Sequence, residues 1–232
     1  MPENIITTPK HAGYIIDGNR RWAEKHGLPA YEGHLAGYNA IQDVARATFD
    51  SGVEYMSAYI FSTENWKRSE NEVKALMGLV LKLFTSDLHI FNEENIRLRV
   101  LGSKDMVNER IKKAIVEAEE ATKNNTRGTL ALCFNYGGQL EIAEAVKKFV
   151  QAGGDASSIT VEDIASNLYA PDIPPVDLII RTSGEQRLSN FMLYRAAYSE
   201  LMFVPKPWPD ITKEDVKKAL HEYSNRGRRF GK

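Results

Sequence analysis

The sequence lacks most of the features that mark specialised classes of protein. It has one cysteine among 232 residues, so no disulfide can form within the chain. Nowhere do about 18 apolar residues follow one another, so we expect no membrane-spanning helix and at most peripheral contact with a membrane. The 30 basic and 31 acidic residues nearly cancel, which gives no support to nucleic-acid binding. Cys133 lies in an apolar run, and we expect a buried thiol in the reducing cytoplasm.

The sequence motifs of common cofactor sites are also missing. There is no P-loop, no GxGxxG and no HExxH, so we expect neither a familiar nucleotide site nor a zinc site. Residues 1–10 carry acid and proline without an apolar core, which is unlike a signal peptide. We therefore expect residues 1–10 to form a flexible arm and residues 11–232 to fold as one domain.

Short apolar runs alternate with amphipathic segments along the chain. The predicted strands are residues 12–16, 55–61, 96–101, 129–134, 177–180 and 201–204. The predicted helices are residues 37–50, 70–91, 104–123, 140–151, 161–169 and 212–223. Because the strands are almost continuously apolar, we expect a single α/β domain with a mostly parallel six-stranded sheet flanked by helices. Ligands bind such sheets beyond the carboxyl ends of the strands.

The residues after the first predicted strand could bind a phosphate. The segment DGNRRW, residues 17–22, contains a glycine that lets the backbone turn sharply beside a ligand. Asp17 could hold Mg²⁺ on a diphosphate, because this cation prefers carboxylate and phosphate oxygens. His34, which follows a glycine, could donate to a phosphate as well. An ordinary turn and helix cap use the same residue types, so both interpretations stay open.

Two further strands end in polar segments. After the second strand comes FSTENWKR, residues 61–68, in which Trp66 could lie against an apolar substrate or support a capping loop. After the fifth comes RTSGEQRLSNF, residues 181–191. Its two arginines suit phosphate oxygens, although Glu185 could pair with them at the surface instead. Glu200 opens the last strand, where it could reach the same face or remain a solvated acid.

In combination these segments resemble the cis-prenyltransferases, the undecaprenyl diphosphate synthase family. The likeness extends from about His11 to Gly231. Its motifs follow one order: DGNRRW at 17–22, GHxxG at 33–37, FSTENWKR at 61–68, FNYGG at 134–138, RTSGEQRLSNF at 181–191, AYSEL at 197–201 and WPD at 208–210. The resemblance implies a Mg²⁺-dependent homodimer that condenses isopentenyl diphosphate with an allylic diphosphate to a cis product. It also implies a hydrophobic tunnel between a helix and the sheet.

The resemblance further implies roles for individual residues. Asp17 and Asn65 would be catalytic, Asp17 by orienting the allylic diphosphate and its Mg²⁺ and Asn65 by lying near the reacting carbons. Substrate would be bound by Gly18, Asn19, Arg20, Arg21, Trp22, His34, Ser62, Trp66 and Arg68. Isopentenyl diphosphate would be held by Arg181, Arg187 and Ser189. Glu200 would help Asp17 hold the metal. The tail arginines would reach a neighbouring site or form a solvated basic end: Arg226, Arg228 and Arg229.

At four positions the sequence departs from the family pattern. Family members usually carry an arginine four residues before the histidine of the GHxxG motif, and here that position is Ala30. Arg20 stands where bacterial members often have glycine, and we expect it to replace part of the missing charge. Tyr38 and Ile60 occupy tunnel positions that are often alanine in long-chain enzymes. We therefore expect a narrow tunnel and a short product rather than a long polyprenyl chain.

Three other functions stay open. An irregular synthase of the lavandulyl or cyclolavandulyl type would join two dimethylallyl diphosphates on the same scaffold. A non-catalytic subunit would support a partner prenyltransferase, although such subunits typically lack the aspartate that is present here at position 17. A binding module for a phosphorylated ligand would retain a diphosphate without consuming it.

Overall fold

The predicted strands form one sheet in the computed structural model, which describes residues 8–226. The strands are β1 (His11–Ile15), β2 (Tyr55–Ser62), β3 (Ile96–Leu101), β4 (Gly128–Tyr136), β5 (Leu178–Arg181) and β6 (Glu200–Phe203). All pairs of neighbouring strands in this part of the chain are parallel, in the order β3–β4–β2–β1–β5–β6. The expected α/β fold with a six-stranded parallel sheet is confirmed.

Helices cover both faces of the sheet. They are α1 (Asn19–Lys25), α2 (Ala30–Asp50), α3 (Glu70–Phe84), α4 (Leu88–Glu93), α5 (Glu109–Thr122), α6 (Gly138–Gln151), α7 (Val161–Asn167) and α8 (Lys213–Ser224). Alternate residues of a strand point to opposite faces. On β4, Leu132 therefore joins the larger core with α2, α3, α5 and α8, whereas Cys133 joins a smaller core around Phe191. The expected buried thiol is confirmed, and burial raises its pKa.

Three helix boundaries differ from the predicted ones. Helix α2 begins at Ala30, directly after Pro29, rather than at residue 37. Gly33 and Gly37 lie within its first turns instead of marking its start. The predicted helix 70–91 is broken after Phe84, where the Thr85 hydroxyl donates to the Leu81 carbonyl and competes with the helical pattern. Helix α5 begins only after Asn108, whose side chain caps it at 2.9 Å.

The start of the described chain lies against the sheet. Pro9 is buried, and the backbone N–H of Lys10 donates to an Asp177 carboxylate oxygen at 2.9 Å. Residues 1–7 of the expected arm lie outside the described residues. Between residues 8 and 226, no helix has the length and hydropathy that crossing a bilayer requires.

Candidate active site

The carboxyl ends of β1, β2 and β5 bring the predicted polar segments to one edge of the sheet. Asp17 follows β1, and Arg181 is the last residue of β5. The Arg181 guanidinium donates to Asp17 Oδ2 at 2.9 Å, and Arg21 lies 3.5 Å from the other carboxylate oxygen. Segments that are far apart in sequence therefore meet at Asp17.

Helix α1 lies unusually close to α2 because glycines face it. A Cβ atom at Gly33 would lie 2.0 Å from the carbonyl oxygen of Asn19, and one at Gly37 would lie 2.4 Å from its side-chain oxygen. Gly18, with φ of 107°, turns the chain into α1 beside Ser183. The glycines thus fix where Asn19 enters the site.

Three basic side chains surround one carboxylate near the start of α3. His34 Nε2 donates to Glu72 Oε1 at 3.1 Å, and Arg68 Nη1 donates to the same oxygen at 3.0 Å. Arg20 lies 4.0 Å from the other carboxylate oxygen. Burial lowers the pKa of His34, which favours its neutral ring. His34, Arg68 and Arg20, all predicted to bind a diphosphate, therefore face a common point.

Glu72 itself was missed from the sequence. Its spacing after Ser69 is that of a capping box, and this pattern assigns the glutamate to the helix start. The Ser69 hydroxyl does accept from the Glu72 backbone N–H, at 3.4 Å, but the carboxylate is only 15% exposed and turns to the basic residues. No signal in the sequence separates these two uses of a glutamate.

A first cavity of ≈ 460 Å³ lies between α2, α3 and the sheet. Its mouth is polar and includes Asp17, Gly18, Asn19, Arg20, Arg21, His34, Asn65 and Arg68. Its depth is apolar and is lined by Ile16, Tyr38, Ile41, Tyr59, Ile60, Leu76, Leu79, Val80 and Leu83. This division suits a ligand with an anionic head and a hydrocarbon tail.

A second cavity of ≈ 540 Å³ adjoins the first. The two share lining residues, among them Asp17, Tyr59, Asn65 and Arg68. The other residues that line the second cavity are Ile15 and the polar residues Ser62, Glu64, Arg181, Ser189 and Asn190. Asp17 and Asn65 therefore lie on the wall that the two cavities share.

Arg181 lines the second cavity. Its side chain is 4% exposed and donates to the Ser189 hydroxyl at 2.7 Å as well as to Asp17. Its Nε atom is buried and, among the described residues, has no hydrogen-bond partner. The side-chain oxygen of Asn19 is likewise buried and unpaired. Unpaired buried polar atoms are rare, and these two belong to residues that line the cavities.

Four predicted site residues line neither cavity: Trp22, Trp66, Arg187 and Glu200. Arg187 is exposed and pairs with Glu185 at the surface, which was the alternative to phosphate binding. The Trp22 ring N–H donates to Asp210 at 2.7 Å, and its ring lies against His26. Trp66 packs edge-on against Phe61 and donates to Asn135 at 2.8 Å, so it supports the loop after β2.

Glu200 lies at the opposite end of the sheet. It is the first residue of β6 and aligns with Leu178, the first residue of β5, whereas Arg181 ends β5 at the site. Its carboxylate accepts from Arg226 at 3.0 Å. Within one chain, Glu200 is therefore not brought to Asp17. Arg228 and Arg229 lie outside the described residues.

A divalent cation fits beside Asp17 if ligand oxygens complete its coordination. Among residues 8–226, no cluster of three or more histidine, cysteine or acidic side chains could hold a metal. The Asp17 carboxylate is 31% exposed and faces both cavities. Because Mg²⁺ is commonly held by one or two carboxylates together with phosphate oxygens, this single aspartate is compatible with a Mg²⁺–diphosphate.

Comparisons with known proteins agree with this geometry. Residues 15–231 match the sequence model of the undecaprenyl diphosphate synthase family (Prenyltransf). An isoprenyl transferase of Thermotoga maritima is 45% identical over 225 residues, which are 96% of this chain and 97% of that protein. A trans,polycis-polyprenyl diphosphate synthase of Thermobifida fusca, named as specific for (2Z,6E)-farnesyl diphosphate, is 44% identical over 238 residues, which span 100% of this chain and 83% of that protein.

A solved structure shows the same fold. Lavandulyl diphosphate synthase from Lavandula x intermedia, in complex with dimethylallyl diphosphate, superposes with a TM-score of 0.92. It is 33% identical to this chain, and the match covers 97% of this chain and 99% of that chain.

Proposed function

This chain belongs to the undecaprenyl diphosphate synthase family of prenyltransferases, and we propose that it joins isopentenyl diphosphate to an allylic diphosphate, giving a short prenyl diphosphate with a new cis double bond. The observation that carries this proposal is the pair of cavities that meet at Asp17. The first has an apolar depth for the allylic hydrocarbon. The second, with Arg181 and Ser189, is polar and suits the diphosphate of the smaller partner.

The basic residues at the mouth of the first cavity stabilise the leaving group. As the new carbon–carbon bond forms, the allylic diphosphate departs with the electron pair of its carbon–oxygen bond, and the isopentenyl partner loses a proton. Arg68, Arg20 and His34 donate hydrogen bonds to the growing negative charge. The apolar lining keeps water from the cation-like allylic carbon.

Asp17 has two tasks in this proposal. With diphosphate oxygens it would hold Mg²⁺, which supplies further charge stabilisation to the leaving group. It also orients Arg181, to which it is bound at 2.9 Å. Asn65, whose side chain accepts from the backbone N–H of Ser62 at 3.1 Å, is fixed by the loop after β2 at the wall that the cavities share.

The size of the first cavity supports a short product. At ≈ 460 Å³ it lies in the lower half of the ~300–1,000 Å³ range of ordinary small-molecule sites. Tyr38 and Ile60, the bulky residues noted in the sequence, both line it. A longer hydrocarbon would need the space that these two side chains fill.

The proposal is tested by product analysis of the purified protein with Mg²⁺. We expect isopentenyl diphosphate to be consumed with dimethylallyl, geranyl or farnesyl diphosphate, and mass spectrometry to show short products. Asp17→Asn should lower the rate by about 10²–10³-fold without loss of folding. Asp172→Asn, at a surface ion pair with Arg99, is the matched control. Diphosphate binding without consumption would contradict the proposal and favour a binding module.

The structure of lavandulyl diphosphate synthase favours a second candidate. That enzyme was solved with dimethylallyl diphosphate and shares this fold at 33% identity. An irregular condensation would join two dimethylallyl diphosphates, one in each cavity. Incubation with dimethylallyl diphosphate alone separates the two: a ten-carbon branched or cyclic product would replace the first assignment.

Assembly and location belong to the same proposal. We expect a homodimer, and sedimentation of the purified chain measures it. We also expect action in the cytoplasm, in keeping with the single reduced thiol. Turnover by the purified chain without any other protein would exclude a non-catalytic supporting subunit.

A further inference from the structure

One wall of the first cavity is held by a polar cluster that lies outside it. Tyr38, on α2, lines the cavity and is buried. Its hydroxyl donates to Asp87 Oδ2 at 2.6 Å. Asp87 lies in the turn between α3 and α4 and does not line the cavity. The phenol ring is thus tied to the neighbouring helix pair.

Lys82 completes this cluster from α3. Its ammonium pairs with the same carboxylate oxygen of Asp87 and lies 5.0 Å from the centre of the Tyr38 ring. Burial raises the pKa of Asp87, but hydrogen bonds from Lys82 and Tyr38 outweigh it and hold the pKa below its usual value. The carboxylate stays charged, and a hydrogen bond to a charged group is stronger than a neutral one.

A buried phenol in this position has little freedom to move. To leave the cavity wall, the Tyr38 ring must break its hydrogen bond and leave the Asp87 oxygen with one partner fewer in a largely buried place. It must also leave the ammonium that lies over its face. A ring of the same volume without these contacts could change its rotamer when a longer hydrocarbon enters the cavity.

We propose that Asp87 and Lys82 set the length of the product by holding Tyr38 in the wall of the first cavity. This inference rests on the proposed function, because it needs a hydrocarbon that grows into that cavity. The two residues touch neither substrate, so they are positioning residues that act through Tyr38. The competing view is that the ring volume of Tyr38 alone sets the limit.

Tyr38→Phe separates the two views, since it keeps the ring and removes the hydroxyl. The expected result is a shift of the longest product by about one five-carbon unit in Tyr38→Phe, Asp87→Ala and Lys82→Met. The measurement is the mass distribution of dephosphorylated products at fixed substrate concentrations. Matched controls are Asp43→Ala, an exposed acid on α2, and Lys74→Met, an exposed lysine on α3, and both should leave the product length unchanged.

A double variant tests whether Asp87 acts through the ring. Tyr38→Ala should lengthen the product, and adding Asp87→Ala to it should lengthen the product no further. Circular dichroism checks that each variant folds. If Asp87→Ala does not fold, Tyr38→Phe still tests the inference. Unchanged products from Tyr38→Phe and Lys82→Met, with an active wild type, would overturn the inference. A wild type that makes no product would instead refute the proposed function.

Discussion

Glu72 places a negative charge among the groups that should receive a diphosphate. His34 and Arg68 both bind it, and Arg20 faces it from 4.0 Å. The carboxylate orders these side chains before substrate arrives, but it also cancels part of their charge. A diphosphate must therefore compete with Glu72 for the same donors.

Removing this charge should tighten binding of the allylic substrate. In Glu72→Gln an oxygen acceptor remains for Arg68 and His34, while the site loses one negative charge. We expect the KM for the allylic diphosphate to fall about fivefold, which corresponds to ~1 kcal/mol. Steady-state kinetics measures it, with Glu70→Gln, an exposed acid in the same turn, as control. A rise in KM would show that ordering the donors matters more than competition.

Arg20 is the residue that we propose as a substitute for the arginine missing at position 30. Its side chain lines the mouth of the first cavity but is 65% exposed, so it is a mobile and screened cation. Ala30 begins α2, one turn before His34, and these two positions lie on the same helix face.

The two positions should compensate each other. We expect Arg20→Ala to raise the KM for the allylic diphosphate several-fold, and Ala30→Arg in that background to restore it. The salt dependence of KM provides a second readout, since an exposed cation loses its effect as ionic strength rises. If Ala30→Arg changes the affinity in neither background, the empty position matters little.

The contact between α1 and α2 fixes the position of the segment that follows β1, residues 17–19. Gly33 and Gly37 leave room for Asn19, and the clash distances involve its backbone carbonyl as well as its side chain. A methyl group at Gly33 cannot be accommodated by a side-chain rotation. Helix α1 would have to move, and Asp17, Gly18 and Asn19 would move with it.

Gly33→Ala should therefore affect both stability and binding. We expect a loss of about 1–3 kcal/mol in the free energy of unfolding, as in other overpacked contacts, and a raised KM for the allylic diphosphate. Gly78→Ala is the control, because a Cβ atom there would meet no neighbouring group within 4 Å. Since alanine favours helix over glycine, this variant should raise the free energy of unfolding by up to ~1 kcal/mol. Urea unfolding compares the two. Equal stability of both variants would contradict the close contact.

Local sequence patterns predicted the elements better than the side-chain partners. All six strands were placed within about two residues, because buried parallel strands are continuously apolar. Helix 212–223 was predicted within one residue of α8, which begins after a capping box of Thr212 and Asp215. The roles of Glu72 and Asp87 were missed, since they depend on residues that approach only in the folded chain. The break after Phe84 was missed because the apolar spacing continues to Phe91, while the Thr85 hydroxyl binds the Leu81 carbonyl. Trp22 and Trp66, like Glu72 and Asp87, have ring N–H groups that found partners only in the folded chain, outside the cavities.

A buried histidine at the first strand joins that strand to β2 and to the segment before β5. His11 Nδ1 lies 2.8 Å from the Pro174 carbonyl oxygen and therefore donates to it, and Nε2 lies 2.7 Å from the Ser57 hydroxyl, from which a neutral ring accepts. The side chain is fully buried, and this burial lowers its pKa from 6.5 to about 4. The folded chain therefore keeps His11 neutral where the unfolded chain would protonate it.

Stability should fall as the pH drops below the unfolded pKa of His11. Above about pH 6.5 both states are neutral and the residue contributes no pH dependence; between 6.5 and about 4 the unfolded state takes up the proton first. The loss over this window is on the order of 3 kcal/mol. Urea unfolding at about pH 7 and pH 4.5 should show a smaller drop in His11→Gln than in the wild type. His221→Gln, at an exposed position on α8, should lose as much stability between the two pH values as the wild type. An identical loss in all three proteins would refute this account.

The wall common to both cavities has a consequence for inhibitors. Asp17, Asn65 and Arg68 border both cavities, so on the proposed function two anionic groups joined by a short tether would occupy both at once. When the first group is seated, the second experiences an effective concentration in the ~millimolar range. A bivalent compound would then bind far more tightly than its separate halves, and the best tether would report the separation at which the two substrates react.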